Sequence, residues 1–143
     1  MKKVVLFASS NPNGATRKVV DQHYPKTDIV NLADYQLDFF KYDQSYTDDF
    51  TKLFNKLMEY DHIVFASPIY WYSVCAQMKV FIDRLSDLLF GEKDRLKLLR
   101  CKSVSFLGTY ATSYNDALKQ FQDIFEYLKV ELTEVEAIKV LED

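Results

Sequence analysis

The sequence predicts an α/β domain. Its core is a doubly wound parallel sheet of five strands in the order 2-1-3-4-5, held as the middle of three layers between helices. Three observations carry that prediction. Short apolar runs alternate with stretches of helical spacing, giving the pattern βαβαβαβαβ with short connections, as crossover-linked parallel strands require. The first run, Val4-Val5-Leu6-Phe7-Ala8, is apolar at every position, as befits a strand covered on both faces. Glycine and proline, three of each, fall only at loops and helix ends. Pro12, Gly14, Pro68 and Gly108 follow strands one, three and four, while Pro25 and Gly91 end helices. Five strands fit this order better than a six-stranded doubly wound sheet.

After the first strand comes a loop of small hydroxyl and amide side chains, Ser9-Ser10-Asn11-Pro12-Asn13-Gly14-Ala15-Thr16. Residues 17–24 form a short helix with Val19, Val20 and Tyr24 inward, closed by Pro25. Asp28-Ile29-Val30-Asn31-Leu32 is only partly apolar and reads as a second strand at or near the edge. Residues 33–46 are irregular and carry Tyr35, Phe39, Phe40, Tyr42 and Tyr46, a surface loop expected to wall one side of a pocket. Thr47 offers a helix cap, and Asp48 and Asp49 suit the positive helix start. Phe50, Leu53, Phe54, Leu57 and Met58 are the buried stripe of that helix.

His62-Ile63-Val64-Phe65-Ala66 is the third strand. Pro68 cannot donate to a ladder, so the strand is expected to stop there and turn. Tyr70, Trp71 and Tyr72 follow where a solvent loop would be polar. They either enclose a flat ligand at the strand end or pack against a neighbouring helix or subunit. Val74, Met78, Phe81, Ile82, Leu85, Leu88 and Leu89 then share one helical face up to Gly91. The fourth strand, residues 101–107, runs into Gly108-Thr109-Tyr110-Ala111-Thr112. Ser113 and Asp116 resemble a capping box for a last helix with Ala117, Leu118, Phe121, Ile124, Phe125 and Leu128 inward. In residues 130–140 the apolar alternation slips, which reads as a bulged edge strand, with a terminal helix as the alternative.

The totals narrow the function. A chain of 143 residues, 48% hydrophobic, makes one domain, residues 1–143, with a full core. A net charge of −3 with interspersed signs offers no basic footprint for nucleic acid. No apolar run is long enough for membrane insertion. The opening Met1-Lys2-Lys3-Val4 breaks too soon, at Ser9, for an export signal. Cys75 and Cys101 form no metal or redox pattern and read as buried small residues of a cytoplasmic protein. His23 and His62 read as structural, no metal site is expected, and no Ser-His-Asp set exists. A receiver domain needs acids after strands one and three, where this chain has Ser9, Ser10 and Ser67.

In a doubly wound sheet the loops after strands one, three and four meet at the carboxyl edge, the expected ligand crevice. The first loop suits a phosphate: its N–H groups lead into a helix start, and Ser9, Ser10, Asn11, Asn13 and Thr16 add neutral donors, while Gly14 lets the backbone approach. An ordinary capped turn has the same composition. It is neither a Walker loop nor a GxGxxG fingerprint. A phosphate loop, an aromatic loop and a Gly-Thr-Tyr loop together suit a ligand anionic at one end and planar at the other, as FMN is.

The sequence resembles the flavodoxin-like NAD(P)H-dependent FMN reductases and NAD(P)H quinone reductases. The resemblance covers about residues 3 to 136. It rests on the 9–16 loop and, more specifically, on Ser67-Pro68-Ile69-Tyr70-Trp71-Tyr72-Ser73 followed by Met78-Lys79-Val80-Phe81-Ile82-Asp83-Arg84, matching S-P-x-Y-W and K-x-F-x-D-R. Ala15 stands where the family often has Asn. The resemblance implies a flavodoxin-like fold and FMN as cofactor, with Ser10, Asn13 and Thr16 on its phosphate. Pro68, Ile69, Tyr70 and Trp71 would line its ring system, with Tyr72 beside them, and Gly108, Thr109 and Tyr110 would close the other side. It implies NADH or NADPH as donor, a quinone, free flavin or similar small-molecule acceptor, and a homodimer covering Phe39, Phe40 and Tyr42. No catalytic side chain is needed, because the flavin carries the chemistry. A flavodoxin-type electron carrier without nicotinamide turnover is the alternative. Lys79, Asp83 and Arg84 read as an exposed ion pair and a helix-to-helix contact.

Overall fold

In the structure, a computed structural model, residues 1–91 and 93–140 are described. Strand alternation sets the architecture. Along β1 (Lys3–Phe7), Val4 and Leu6 face one layer while Val5 and Phe7 face the other, and all four are buried. The elements follow as α1 (Ala15–His23), β2 (Asp28–Asn31), a short 3₁₀ turn (Leu32–Asp34), α2 (Phe50–Leu57) and β3 (His62–Tyr70). Then come β4 (Ser73–Val74), α3 (Ala76–Arg84), α4 (Asp87–Phe90), α5 (Lys93–Arg100), β5 (Ser103–Tyr110), α6 (Asn115–Leu128) and β6 (Glu131–Lys139). The sheet runs β2-β1-β3-β5-β6, all parallel, which is the expected order. A sixth strand, the two-residue β4, pairs antiparallel with β3 and was not expected.

The larger core lies on the α2, α3 and α6 side, with Phe65 at its centre. Phe65 meets Phe121 at 5.2 Å, Phe125 at 5.3 Å and Phe81 at 6.1 Å between ring centroids. Much of the aromatic excess is therefore core, where ring pairs add to the area they bury. The smaller core packs Val19 and Val20 of α1 on Val5, Phe7, Val64, Ala66 and Leu107. Below it, His62 is buried with both ring nitrogens engaged, Nδ1 at 2.6 Å from Ser103 Oγ and Nε2 at 2.9 Å from Ser105 Oγ.

Several expectations are corrected. Pro68 does not end the third strand: β3 continues to Tyr70, with Pro68 opposite Thr109. The physical reason is local to one side. Ala66 points its carbonyl at Ala8, so Pro68, two residues on, faces the same side. There β1 has already ended at Phe7, and the missing N–H is not required. The helix expected over 74–90 is split. Leu85, Ser86, Leu88 and Leu89 donate to the carbonyls three residues back, a local tightening that separates α3 from α4. The expected scheme also lacked α5, whose buried side chains among the described residues are Leu96 and Leu99. Thr47 does not cap α2: the N-cap is Asp49, which makes no side-chain cap bond, and it is Asp48 Oδ1 just before it that accepts from Phe50 N at 3.1 Å. The capping box at Ser113 does not form, since Tyr114 is the N-cap of α6 and gives it no side-chain bond. Residues 131–139 are the bulged edge strand: Val104 pairs with Leu132 but Ser105 with Glu134, leaving Thr133 as the extra residue. Cys75 is buried as expected, but Cys101 is exposed.

Arg84 is the largest departure. The helix-to-helix contact expected of it exists, through Asp87 of α4, but it is made by a fully buried cation. Its Nε donates to Asp87 Oδ2 at 2.8 Å, and its Nη1 donates to the Asp38 carbonyl at 3.0 Å and to Asp48 Oδ2. The Tyr46 ring covers its guanidinium at 3.5 Å, and Tyr46 Oη donates to Asp87 Oδ1 at 3.1 Å. Burial pushes the Asp48 carboxyl up, but Arg84 and the N–H groups of Asp38 and Phe50 outweigh it and hold it below its usual range. One guanidinium thus ties the 38–48 loop to the α3–α4 junction. Lys79 and Asp83 form the exposed pair that was expected, at 2.6 Å.

Candidate functional site

The carboxyl ends of β1, β3 and β5 enclose a cleft of about 790 Å³, within the usual span of ligand sites of about 300–1,000 Å³. Its first wall is the 9–16 loop, which is tied to itself. Ser9 Oγ accepts from Asn11 N at 3.1 Å, Asn11 Oδ1 accepts from Asn13 N at 3.1 Å, and Asn11 O accepts from Gly14 N at 3.2 Å. A side chain at Gly14 would put its Cβ 2.9 Å from Asn11 Nδ2, so glycine is what lets Asn11 tuck in. Gly14 is also the N-cap of α1, and the first turn carries no acid. The positive end of that helix is therefore met by no carboxylate of its own.

The second wall is a hairpin. β3 and β4 are joined by Trp71 and Tyr72 alone, with Tyr70 opposite Ser73. Both turn residues lie in the left-handed region, Trp71 at φ 50° and Tyr72 at φ 72°. This is the geometry of a type I′ turn, which normally takes Asn-Gly. Bulky residues there are strained, a feature that gathers at functional sites. The result is three rings held outward, Trp71 being 91% exposed.

The third wall follows β5. Thr109 and Tyr110 line the cleft, and Thr109 Oγ1 lies 2.7 Å from Thr16 Oγ1, a buried contact across 93 residues of sequence. Tyr110 pairs with Tyr114 at 4.6 Å between centroids, and its carbonyl accepts from Val140 N at 2.8 Å.

Thirteen of the fifteen sequence-expected site residues therefore line one cleft: Ser9, Ser10, Asn11, Gly14, Ala15, Thr16, Pro68, Ile69, Tyr70, Trp71, Tyr72, Thr109 and Tyr110. Asn13 is exposed outside it. Gly108 lies behind it, where a Cβ would come within 2.8 Å of Ile69 Cδ1 and Phe106 Cε2. Its role is to let Ile69 settle against β5. The 33–46 loop is not a wall of this cleft. Its Phe40 and Tyr42 gather instead with Phe90, at 6.1 and 6.5 Å. Sequence reading missed Ala111, Thr112, Ser113 and Val140 as lining. The first three were legible as the continuation of the β5 tip, whereas nothing local marks Val140.

Among the described residues, none that lines the cleft carries a charged side chain. Among the described residues, no cluster of His, Cys, Asp or Glu is placed to hold a metal ion, and no helix is long and apolar enough to cross a membrane. Neutral donors at a helix start, outward rings and this volume fit FMN.

Comparison with known proteins agrees with this geometry. Residues 1–135 match the model of a family described as NADPH-dependent FMN reductase. An uncharacterized NAD(P)H oxidoreductase of Escherichia coli strain K12 is 29% identical over 89 residues, 61% of this chain and 45% of that protein. The match thus spans less than half of that relative's length. Among solved structures, the Trp repressor binding protein of Bacillus subtilis superimposes with a TM-score of 0.77 at 17% identity, over 99% of this chain and 86% of that one. The general stress protein 14 of Treponema denticola, solved in complex with FMN, gives 0.69 at 17% identity, over 98% and 87%. Both share the fold.

Proposed function

The chain belongs to the NADPH-dependent FMN reductase family, and from that premise we propose that it holds FMN in this cleft and oxidises NADH or NADPH to reduce a small planar acceptor. The observation that supports this most is the convergence of three separate loops on one cleft whose described lining carries no charged side chain. The start of α1, with the hydroxyls of Ser10 and Thr16 and the amide of Asn11, receives the phosphate. Pro68, Ile69 and the rings of Tyr70, Trp71 and Tyr72 flank the ring system, and Thr109 and Tyr110 close the side across from them. When bound, FMN supplies the hydride-accepting ring. The chain's own part is to fix that ring, exclude water from one face and leave the other open to donor and acceptor in turn. Two free cysteines suit a reducing cytoplasm. The exposed rings of Tyr42 and Phe90, gathered on Phe40, together with exposed Phe39, support association with a second copy, which sedimentation at micromolar concentration tests.

The test is the absorption spectrum of purified protein titrated with FMN and with riboflavin, followed by NADH and NADPH oxidation in the presence of a quinone. Saturable flavin binding, tighter for FMN, with quinone-dependent turnover is expected. No binding of either flavin sinks the reading. Binding without nicotinamide oxidation makes the protein a flavodoxin-type carrier instead.

A further inference from the structure

Ser67 carries no role in the reading above, yet it sits at the base of the aromatic wall. It is fully buried, and its hydroxyl joins both ends of the hairpin. Ser67 Oγ donates to the Pro68 carbonyl at 2.7 Å and accepts from Cys75 N at 3.0 Å. Between those ends lie only two rungs, Ile69 with Val74 and Tyr70 with Ser73. A hairpin that short does not hold itself in water. Its tip is also strained at two consecutive residues, Trp71 and Tyr72. Something outside the ladder must maintain it. Burial of Ile69, Val74 and Cys75 in the larger core anchors its strands, and two polar contacts add to that: the Ser67 staple inside, and on the flank Ser73 Oγ donating to Gln120 Oε1 of α6 at 2.9 Å.

We propose that Ser67 is a positioning residue that holds the Tyr70-Trp71-Tyr72 wall in its ligand-ready shape by stapling Pro68 to Cys75. The proposal rests on the FMN reading for its consequence, but not for its mechanics. Without the hydroxyl, Cys75 N–H loses its buried acceptor, the base of the hairpin opens more often, and the strained tip relaxes. The flavin is then held by a wall that must be rebuilt at each binding event, and it leaves faster.

Ser67→Ala tests this by two readouts. Hydrogen exchange of the protein without flavin is expected to quicken about five- to tenfold across residues 67–75, the equilibrium worth of one net hydrogen bond. Residues 3–7 of β1 keep their rates. FMN dissociation, followed by fluorescence, quickens by a similar factor, and Ser67→Thr, which keeps the hydroxyl, restores both. Unchanged exchange in 67–75 overturns the proposal, and so does faster exchange with unchanged FMN dissociation. If Ser67→Ala loosens the whole chain, Ser67→Cys decides, because it fills the site with a side chain of similar shape but offers Cys75 N–H only a weak sulfur acceptor. Local exchange and FMN release that both quicken there support the staple model, and no change in either overturns it. A wild-type protein that takes up no flavin removes the FMN reading alone, and the exchange measurement still judges the staple.

Discussion

Trp71, just before α3, is 91% exposed, and Arg84, the last residue of α3, is 2% exposed. One stretch of chain thus puts a large ring in water and a cation in the interior, the reverse of the usual sorting. The two inversions are resolved differently. Arg84 is satisfied by the chain itself, through Asp48, Asp87, the Asp38 carbonyl and the face of Tyr46. Trp71 and Tyr72 have no such closure; they are strained, and they border a cleft. The comparison teaches where to look for a ligand. A buried charge with complete partners marks a structural joint, while exposed rings on a strained turn mark a surface built for something that is not part of the chain.

The sharpest way to break this contrast is Arg84→Leu. It leaves Asp48 and Asp87 buried without their cation and is expected to cost about 3–5 kcal/mol, read by urea denaturation. A loss below about 1 kcal/mol would mean that the joint is not structural. Next in size is replacement of Trp71-Tyr72 by Asn-Gly. That pair suits the turn, so stability is expected to rise by about 1–2 kcal/mol, while FMN affinity falls about tenfold. A less stable variant would show that the rings support the fold and not a ligand.

Acid titration sharpens the same distinction at a buried group far from the cleft. Burial, and then the charge of Lys3, push His62 below its ordinary value of 6.5. The unfolded chain therefore binds this proton more readily than the folded one. The stability concerned is complete above pH 6.5 and is lost as pH falls through the folded pKa. The urea midpoint should decline over that window, and His62→Gln should flatten the decline. The smallest effect belongs to Lys79→Ala. Its pair with Asp83 is exposed, so stability should stay within about 0.5 kcal/mol and FMN binding should not change.

What the residues determined by themselves is the part of the molecule that follows from short-range pattern. Short, mostly apolar runs placed the five parallel strands and period-3.6 apolarity the main helices, because burial is written into neighbouring positions. The slip after Val130 announced a bulge, and the S-P-x-Y-W stretch announced a site. Only the tertiary structure decided the rest, because it depends on partners far along the chain. Pro68 stays in its strand because β1 happens to end beside it. Arg84 is buried because Asp48, 36 residues away, meets it. Thr16 and Thr109 join two loops across 93 residues. Local pattern says which face is apolar, but which polar groups find one another is a property of the closed fold.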